Sequence, residues 1–173
     1  ISIEDYKTTG STILLCLQRD GGWSMGQESV LSWTVDTVNE LRKYTDRNIK
    51  IRCHPKDNKS FEYINKLKSF YANDKSIVFS KTNVPIEEDL KNTWAVINKN
   101  SSSIVGPIIK GYYSFVTDPK SSQCAEVSNH SLSQIEKPLI FDRTKWLERI
   151  SMCHWKFSEL EDGSAWAHIK RYV

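Results

Sequence analysis

The sequence alternates short apolar runs with longer segments whose apolar residues recur at helical spacing. A short, continuously apolar run is typical of a strand buried on both faces, whereas apolar residues three and four positions apart form the buried face of a helix. The predicted strands are Thr12–Leu17, about five residues from Ile49 onwards, Ile77–Phe79, Thr93–Asn98 and Tyr112–Thr117. Strands that alternate with helices pair in parallel, so we predict an α/β protein with a single Rossmann-like, doubly wound parallel sheet of about five strands.

The whole chain, residues 1–173, is predicted to form one domain, because its length is sufficient for a single apolar core. Residues 1–11 are polar and are predicted to lead into the sheet, and residues 141–173 are predicted to form a C-terminal helical extension. The chain begins with Ile1 rather than Met, which is consistent with the removal of a preceding segment.

Composition and charge argue against several classes of protein. The net charge is only +3 and the Lys and Arg residues are scattered, whereas a dedicated nucleic-acid-binding domain carries a basic stripe. No apolar run reaches the length of about 18 residues that a membrane-spanning helix needs, and no signal peptide is recognisable, so we expect a cytoplasmic protein. Neighbouring residues on a strand point to opposite faces, so the Cys53-His54 dipeptide is a poor chelating pair and we expect no metal site.

A His-Pro pair closes the second predicted strand. Pro55 cannot continue the strand, because it lacks an N–H group, and it restricts His54 to extended backbone geometry. His54 is therefore predicted at the carboxyl end of a strand, which is the edge of an open α/β sheet where ligands bind.

The loop after the first predicted strand is expected to border a cleft at the same edge. Its residues Gln18, Asp20, Gly21, Gly22 and Trp23 are the candidates that line this cleft. The paired glycines permit positive φ angles and close approach of the backbone. The loop position also distinguishes its tryptophan from those in strand or helix patterns, for which core packing is expected.

A run of polar residues follows the fourth predicted strand and leads directly into a helical segment. The run is Asn100, Ser101, Ser102 and Ser103. Free N–H groups at a helix start, the helix dipole and hydroxyl groups together bind anions, so we predict a phosphate site here that faces His54. The alternative interpretation is that Asn100 or Ser101 is an ordinary helix N-cap.

The acidic run Glu87-Glu88-Asp89 follows a proline that is typical of a first helical turn. We interpret the run as a solvated helix start rather than as a cluster of catalytic acids.

In their order and spacing, these motifs resemble the C-terminal, donor-binding half of GT-B glycosyltransferases. The likeness rests on Leu14-Leu15-Cys16-Leu17-Gln18, on the corner Arg52-Cys53-His54-Pro55-Lys56, and on the serine run followed by Lys110-Gly111. The chain looks like bacterial capsule polysaccharide transferases of the Kdo-transferase kind. Sialyltransferases and CDP-glycerol polymerases share the His-Pro and Ser-Ser arrangement. The resemblance extends over residues 12–172.

The resemblance implies a donor-binding domain in surface or capsular polysaccharide synthesis. His54 would contact the phosphate of a CMP- or CDP-activated sugar and assist its departure, and Ser101 and Ser102 would hold the same phosphate. The expected ligands are a nucleotide-sugar and a glycan acceptor, with a second domain or chain that completes the cleft. No metal or other cofactor is implied, because hydroxyls, an imidazole and a helix start can stabilise the charge of the leaving group.

Two features depart from the pattern of that family. Gly106-Pro107 occupies the place where the family usually carries an acidic residue near the donor ribose, and Pro107 is expected to kink its helix. A GT-B enzyme also has two such domains, whereas one is predicted here. The alternatives are a CDP-alditol phosphotransferase domain and a non-catalytic nucleotide-binding or scaffolding module. Whether the chain is an enzyme by itself therefore stays open.

Overall fold

A computed structural model describes residues 2–55, 57, 60–81 and 83–172 of the chain. Lys56, the last residue of the predicted His-Pro corner, lies outside the described residues. The strands are β1 (Thr12–Cys16), β2 (Asn48–Arg52), β3 (Ile77–Phe79), β4 (Thr93–Asn98) and β5 (Tyr113–Val116). The helices are α1 (Val30–Leu41), α2 (Ser60–Phe70), α3 (Ile86–Leu90), α4 (Val105–Ile109), α5 (Thr144–Cys153), α6 (Phe157–Glu161) and α7 (Ser164–Ile169).

The strands form one five-stranded sheet in the order β3-β2-β1-β4-β5. Every neighbouring pair is parallel, with Ile13 of β1 beside Ile49 of β2 and Ala95 of β4. These three residues are fully buried, as expected for strands that are covered by helices on both faces. The predicted fold class, an α/β protein with a single Rossmann-like parallel sheet, is confirmed.

Apolar side chains on the strands and on one face of α1 build the core. Val30, Trp33, Val38 and Leu41 recur at helical spacing on α1 and are buried against the strand residues of the core. Ser29 caps this helix, because its hydroxyl accepts a hydrogen bond of 3.0 Å from the N–H of Ser32.

The chain divides into two compact units. The sheet unit, Ile1–Phe141, contains all five strands and helices α1 to α4. The helical unit, Asp142–Val173, contains α5, α6 and α7. Among the described residues, no helix combines the length and the apolar character that crossing a membrane requires.

Pro107 lies in the first turn of α4, directly after a 3-10 turn at Ser102–Ile104. N–H groups in the first turn of an α-helix have no acceptor within that helix, so the missing N–H of the proline is tolerated at this position. The side chain of Pro107 is buried and contributes to the packing of α4.

Candidate functional site

Four neighbouring strands carry a polar residue at the same position on the carboxyl edge of the sheet. Asp118, Asn100, Gln18 and His54 each lie two residues beyond the end of β5, β4, β1 and β2 respectively. The strand order reverses between β1 and β4, because chain connections run outward from β1 on one side and from β4 on the other. A reversal of this kind opens a crevice at the carboxyl edge, which is the usual ligand site of open α/β sheets.

Gln18 and Asn100 join the two loops that flank this reversal. The backbone N–H of Asn100 donates to Oε1 of Gln18 over 2.8 Å, and Nε2 of Gln18 donates to the hydroxyl of Ser24 over 2.5 Å. Nδ2 of Asn100 donates to the carbonyl of Ser24 over 3.0 Å and to Oδ2 of Asp118 over 2.9 Å. Gln18 is only 2% exposed. Both side chains therefore hold the loops in place beneath the cleft.

The cleft above this network has a volume of about 440 Å³, and we call it the switch cleft. It is lined by Gln18, Arg19, Trp23, Ser24, His54, Asn100, Ser101, Ser102 and Ser121. Of the described residues that line it, none carries a carboxylate, whereas Arg19 carries a guanidinium and His54 an imidazole. The lining therefore favours a negatively charged ligand over a cation.

Six of the predicted site residues come together in the switch cleft. They are Gln18, Trp23, His54, Asn100, Ser101 and Ser102. The other predicted residues are not among those that line it: Asp20, Gly21, Gly22, Pro55 and Ser103. Arg19, Ser24 and Ser121 were not predicted. The position of Arg19 in the sequence already indicated that it could line the cleft, because it lies between Gln18 and Asp20 in the predicted loop.

The backbone at His54 is held by the turn that follows β2. The N–H of Asp57 donates to the carbonyl of His54 over 3.1 Å. The carboxylate of Asp57 accepts the N–H of Asp20 over 3.0 Å and the hydroxyl of Tyr63 over 2.9 Å. Burial and this hydrogen bond raise the pKa of Tyr63, so the phenol stays protonated as a donor. The buried residue Asp57 thus connects the turn at His54, the loop after β1 and helix α2.

The loop after β1 is a compact turn that presents Arg19 and Trp23. Gly21 has a φ angle of 67°, a conformation that glycine adopts without strain, and the N–H of Gly22 donates to the carbonyl of Arg19 over 3.1 Å. Asp20 faces inward, where its Oδ1 accepts the N–H of Val30 at the start of α1 over 2.9 Å. Trp23 is fully exposed at the mouth of the cleft.

Ser101, rather than Asn100, caps the serine turn. Its hydroxyl oxygen accepts the N–H of Ser103 over 3.1 Å. Nδ2 of Asn98 donates to the carbonyl of Ser101 over 2.7 Å and to the hydroxyl of Ser103 over 3.2 Å, which turns Ser103 toward the end of β4. The capping interpretation and the ligand interpretation are compatible, because a serine hydroxyl that accepts one hydrogen bond still has its O–H to donate.

Asp89 differs from the expectation of a solvated acidic run. It is only 4% exposed, and its carboxylate accepts hydrogen bonds of 2.5 Å from both Arg52 and Ser80. Lys50 lies 3.5 Å from the same carboxylate. A buried carboxylate requires such partners because removal from water is costly. Lys50 and Arg52 are two positions apart on β2, and therefore on one face, which was the sequence signal for this ion pair.

A second cavity, with a volume of about 310 Å³, lies on the other side of His54; we call it the β2 pocket. Its walls combine apolar side chains with amides, hydroxyls and cationic groups. They are formed by Arg52, Cys53, His54, Pro55, Ser60, Phe61, Ile64, Asn65, Lys68, Phe79, Ser80, Lys81 and Asn83. His54 borders both cavities, so the switch cleft and the β2 pocket adjoin at this residue.

Within the part of the chain that the structure describes, no group of three or more His, Cys, Asp or Glu side chains could hold a metal ion. Comparison with known proteins returns neither a matching family model nor a matching curated protein.

Proposed function

We propose that the sheet unit binds a nucleotide-activated donor, with a phosphate group in the switch cleft. The observation that carries the proposal is the convergence of Arg19, His54, Ser101 and Ser102 on one cleft with no carboxylate among its described lining residues. The cleft lies at the reversal of strand order, where α/β sheets of this kind bind nucleotides.

Each of these side chains supplies a donor suited to a phosphate. The hydroxyls of Ser101 and Ser102 donate O–H groups, and an imidazole donates through one ring nitrogen when neutral and through both when protonated. A guanidinium such as that of Arg19 can bind two phosphate oxygens at once. Hydrogen bonds hold the backbone turns at His54 and Ser101 before a ligand arrives, which lowers the entropic cost of binding.

The β2 pocket supports a nucleotide rather than a bare phosphate. Pro55, Phe61, Ile64 and Phe79 provide apolar walls, on which a base can pack. Asn65 in the same wall offers an amide donor and acceptor for the edge of a base. Because the pocket and the cleft adjoin at His54, a nucleoside in the pocket can carry its phosphate into the cleft.

In its full form, the proposal is that this unit is the donor-binding domain of a glycosyltransferase in surface or capsular polysaccharide synthesis. Motif order and the His-Pro and Ser-Ser elements support it. An acceptor hydroxyl needs a general base, and no described residue of the switch cleft has a carboxylate for this task. We therefore propose that a second domain or chain supplies that base and binds the glycan acceptor. The four free cysteines fit a reducing compartment, so the proposal includes a cytoplasmic location.

Two alternatives use the same phosphate contacts. A CDP-alditol phosphotransferase would transfer a phosphate-linked alditol instead of a sugar. A non-catalytic nucleotide-binding module is favoured by the absence of a carboxylate in the described lining of the cleft and by Gly106-Pro107 at the expected acidic position.

Calorimetric titration of the chain with CMP, CDP, UDP and GDP tests the proposal. We expect CMP or CDP to bind at one site and more tightly than UDP or GDP. The proposal would be overturned if none of the four nucleotides gives a measurable heat of binding.

A further inference from the structure

A third hollow adjoins the switch cleft on the side of β5. It has a volume of about 340 Å³ and we call it the β5 hollow. It is lined by Trp23, Ser24, Met25, Gly26, Lys99, Asn100, Asp118 and Ser121. Trp23, Ser24, Asn100 and Ser121 line both cavities, so the switch cleft continues into the hollow around the exposed indole.

The chemistry of the surface changes between the two cavities. The switch cleft has Arg19 and His54 and no described carboxylate, whereas the β5 hollow has the carboxylate of Asp118 and the ammonium group of Lys99. The hydrogen bond from Asn100 lowers the pKa of Asp118, so this carboxylate is ionised at neutral pH. Lys99 pairs with Glu28. An anion is therefore favoured in the cleft but not in the hollow.

A neutral group with several hydroxyls fits this combination. An ionised carboxylate accepts hydrogen bonds from hydroxyl groups, and these charge-assisted bonds are stronger than neutral ones. The hydroxyl of Ser24 and the ammonium group of Lys99 add further donors, whereas the side chain of Ser121 is hydrogen-bonded to Asp118. The fully exposed indole of Trp23 offers a flat apolar face to the C–H face of a ring.

We propose that the β5 hollow binds the polyhydroxylated group attached to the phosphate, with Asp118 as its main hydrogen-bond acceptor. The inference rests on the proposed phosphate site in the switch cleft. In this proposal the parts of the ligand follow one another along the carboxyl edge of the sheet. The nucleoside lies beyond β2, the phosphate lies between β2 and β4, and the polyol lies between β4 and β5. The row from His54 to Asp118 spans three strand spacings, about 14 Å.

The polyol is either a sugar ring or an open-chain alditol, and Trp23 distinguishes the two. A ring has a flat C–H face that stacks on the indole, whereas a three-carbon chain has none. Both classes have hydroxyls for Asp118.

The test compares the affinities of the full chain for inorganic phosphate, glucose 1-phosphate, glycerol 3-phosphate and CMP, measured by NMR titration. We expect at least one polyol phosphate to bind more tightly than inorganic phosphate. Asp118→Asn should lower the affinity for that polyol phosphate about 10-fold and leave the affinity for inorganic phosphate unchanged. If the ligand is a sugar, Trp23→Ala should lower the affinity for glucose 1-phosphate but not the affinity for glycerol 3-phosphate. If Trp23→Ala changes the affinity for neither polyol phosphate and wild type binds glycerol 3-phosphate more tightly, the hollow is assigned to an alditol. If Trp23→Ala changes neither affinity and wild type binds glucose 1-phosphate more tightly, the inference is overturned.

Two substitutions serve as controls, Asp36→Asn on the exposed face of α1 and Trp166→Ala in the helical unit. Both should leave all affinities unchanged. If CMP binds but neither polyol phosphate binds more tightly than inorganic phosphate, only this inference is overturned. If none of the four compounds binds, the proposed function fails and this inference fails with it.

Discussion

The backbone N–H of Asn100 donates a hydrogen bond of 2.8 Å to the side-chain oxygen of Gln18, across the point where the strand order reverses. This contact joins the loop after β1 to the loop after β4. Trp23 on the first of these loops and Ser101 on the second both line the switch cleft. The geometry of the proposed phosphate site therefore depends on two side chains that are themselves almost entirely buried.

Ser102→Ala should reduce phosphate affinity with little effect on stability. Ser102 lines the switch cleft, whereas the capping bond of the turn is made by Ser101. We expect the melting temperature to stay within about 2 °C of the wild-type value. Calorimetric titration with CMP and a thermal melt measure the two effects separately.

Two neighbouring serines provide controls for this substitution. Ser101→Ala removes both a cap and a proposed ligand contact, so it should lose affinity and about 1 kcal/mol of stability. Ser103→Ala should retain nucleotide affinity, because its hydroxyl interacts with Asn98. Equal loss of affinity in all three variants would indicate that the turn is disturbed as a whole and would contradict a specific role for Ser102.

Asp89→Ala should destabilise the sheet unit by about 3 kcal/mol, because it leaves the guanidinium of Arg52 without its buried partner. Urea denaturation measures the free energy of unfolding. Glu88→Ala is the matched control, since Glu88 precedes Asp89 in α3 but forms an exposed pair with Lys91. Its cost should stay below about 1 kcal/mol. Similar losses in the two variants would contradict the structural role of Asp89.

Glu136 should make the stability of the sheet unit dependent on pH in the acid range. Hydrogen bonds from Arg47 and Thr45 lower the pKa of Glu136 below its ordinary value of 4.5. A lowered pKa in the folded state adds stability above pH 4.5, and this stability is lost as the pH falls through the folded-state pKa. Glu136→Gln should therefore be less stable than wild type at pH 7, with a difference that shrinks in acid.

Urea denaturation at pH 7 and at several values below pH 4.5 follows this difference. Asp36→Asn, which removes an exposed carboxylate on α1, should show no such trend. A constant difference between Glu136→Gln and wild type at all pH values would rule out the ion pair as its cause.

The chain by itself should not transfer a sugar. In the proposed function the switch cleft binds the donor phosphate, but its described residues include no carboxylate that could activate an acceptor hydroxyl. Orientation of the acceptor also supplies a large part of the rate enhancement that a sugar-transferring enzyme achieves. Incubation with CMP- and UDP-sugars and a panel of glycan acceptors, followed by mass spectrometry, should detect no product. Robust turnover would place a complete active site within these 173 residues.

The fold was predictable because its signals are local. Apolar runs identify β1, β4 and β5, and the repeat of Val38 and Leu41 identifies α1, since each pattern depends on which face of an element is buried. The parallel sheet then follows from the alternation of strands and helices. The order of the strands did not follow from local patterns, because it depends on packing between segments that are distant in the sequence.

The candidate site was predictable in its positions but not in its side-chain directions. The carboxyl ends of parallel strands share one edge of the sheet, which brought His54 after β2 and Ser101 after β4 to one cleft on either side of β1. The directions of Asp20 and Ser103 depend on hydrogen bonds whose geometry forms only in the folded chain, to the start of α1 for Asp20 and to the end of β4 for Ser103. The burial of Asp89 likewise depends on Arg52, which is 37 positions away in the sequence.

The most direct test of the central claim compares CMP with cytidine in wild type and in His54→Ala. If His54 contacts the phosphate, the substitution should lower the affinity for CMP by about 1 to 3 kcal/mol, about 5- to 150-fold. The affinity for cytidine should fall much less, because His54 only borders the β2 pocket. His130→Ala, which removes an exposed histidine outside the switch cleft, should change neither affinity. An unchanged affinity for CMP in His54→Ala, or an equal loss for CMP and cytidine, would contradict the account.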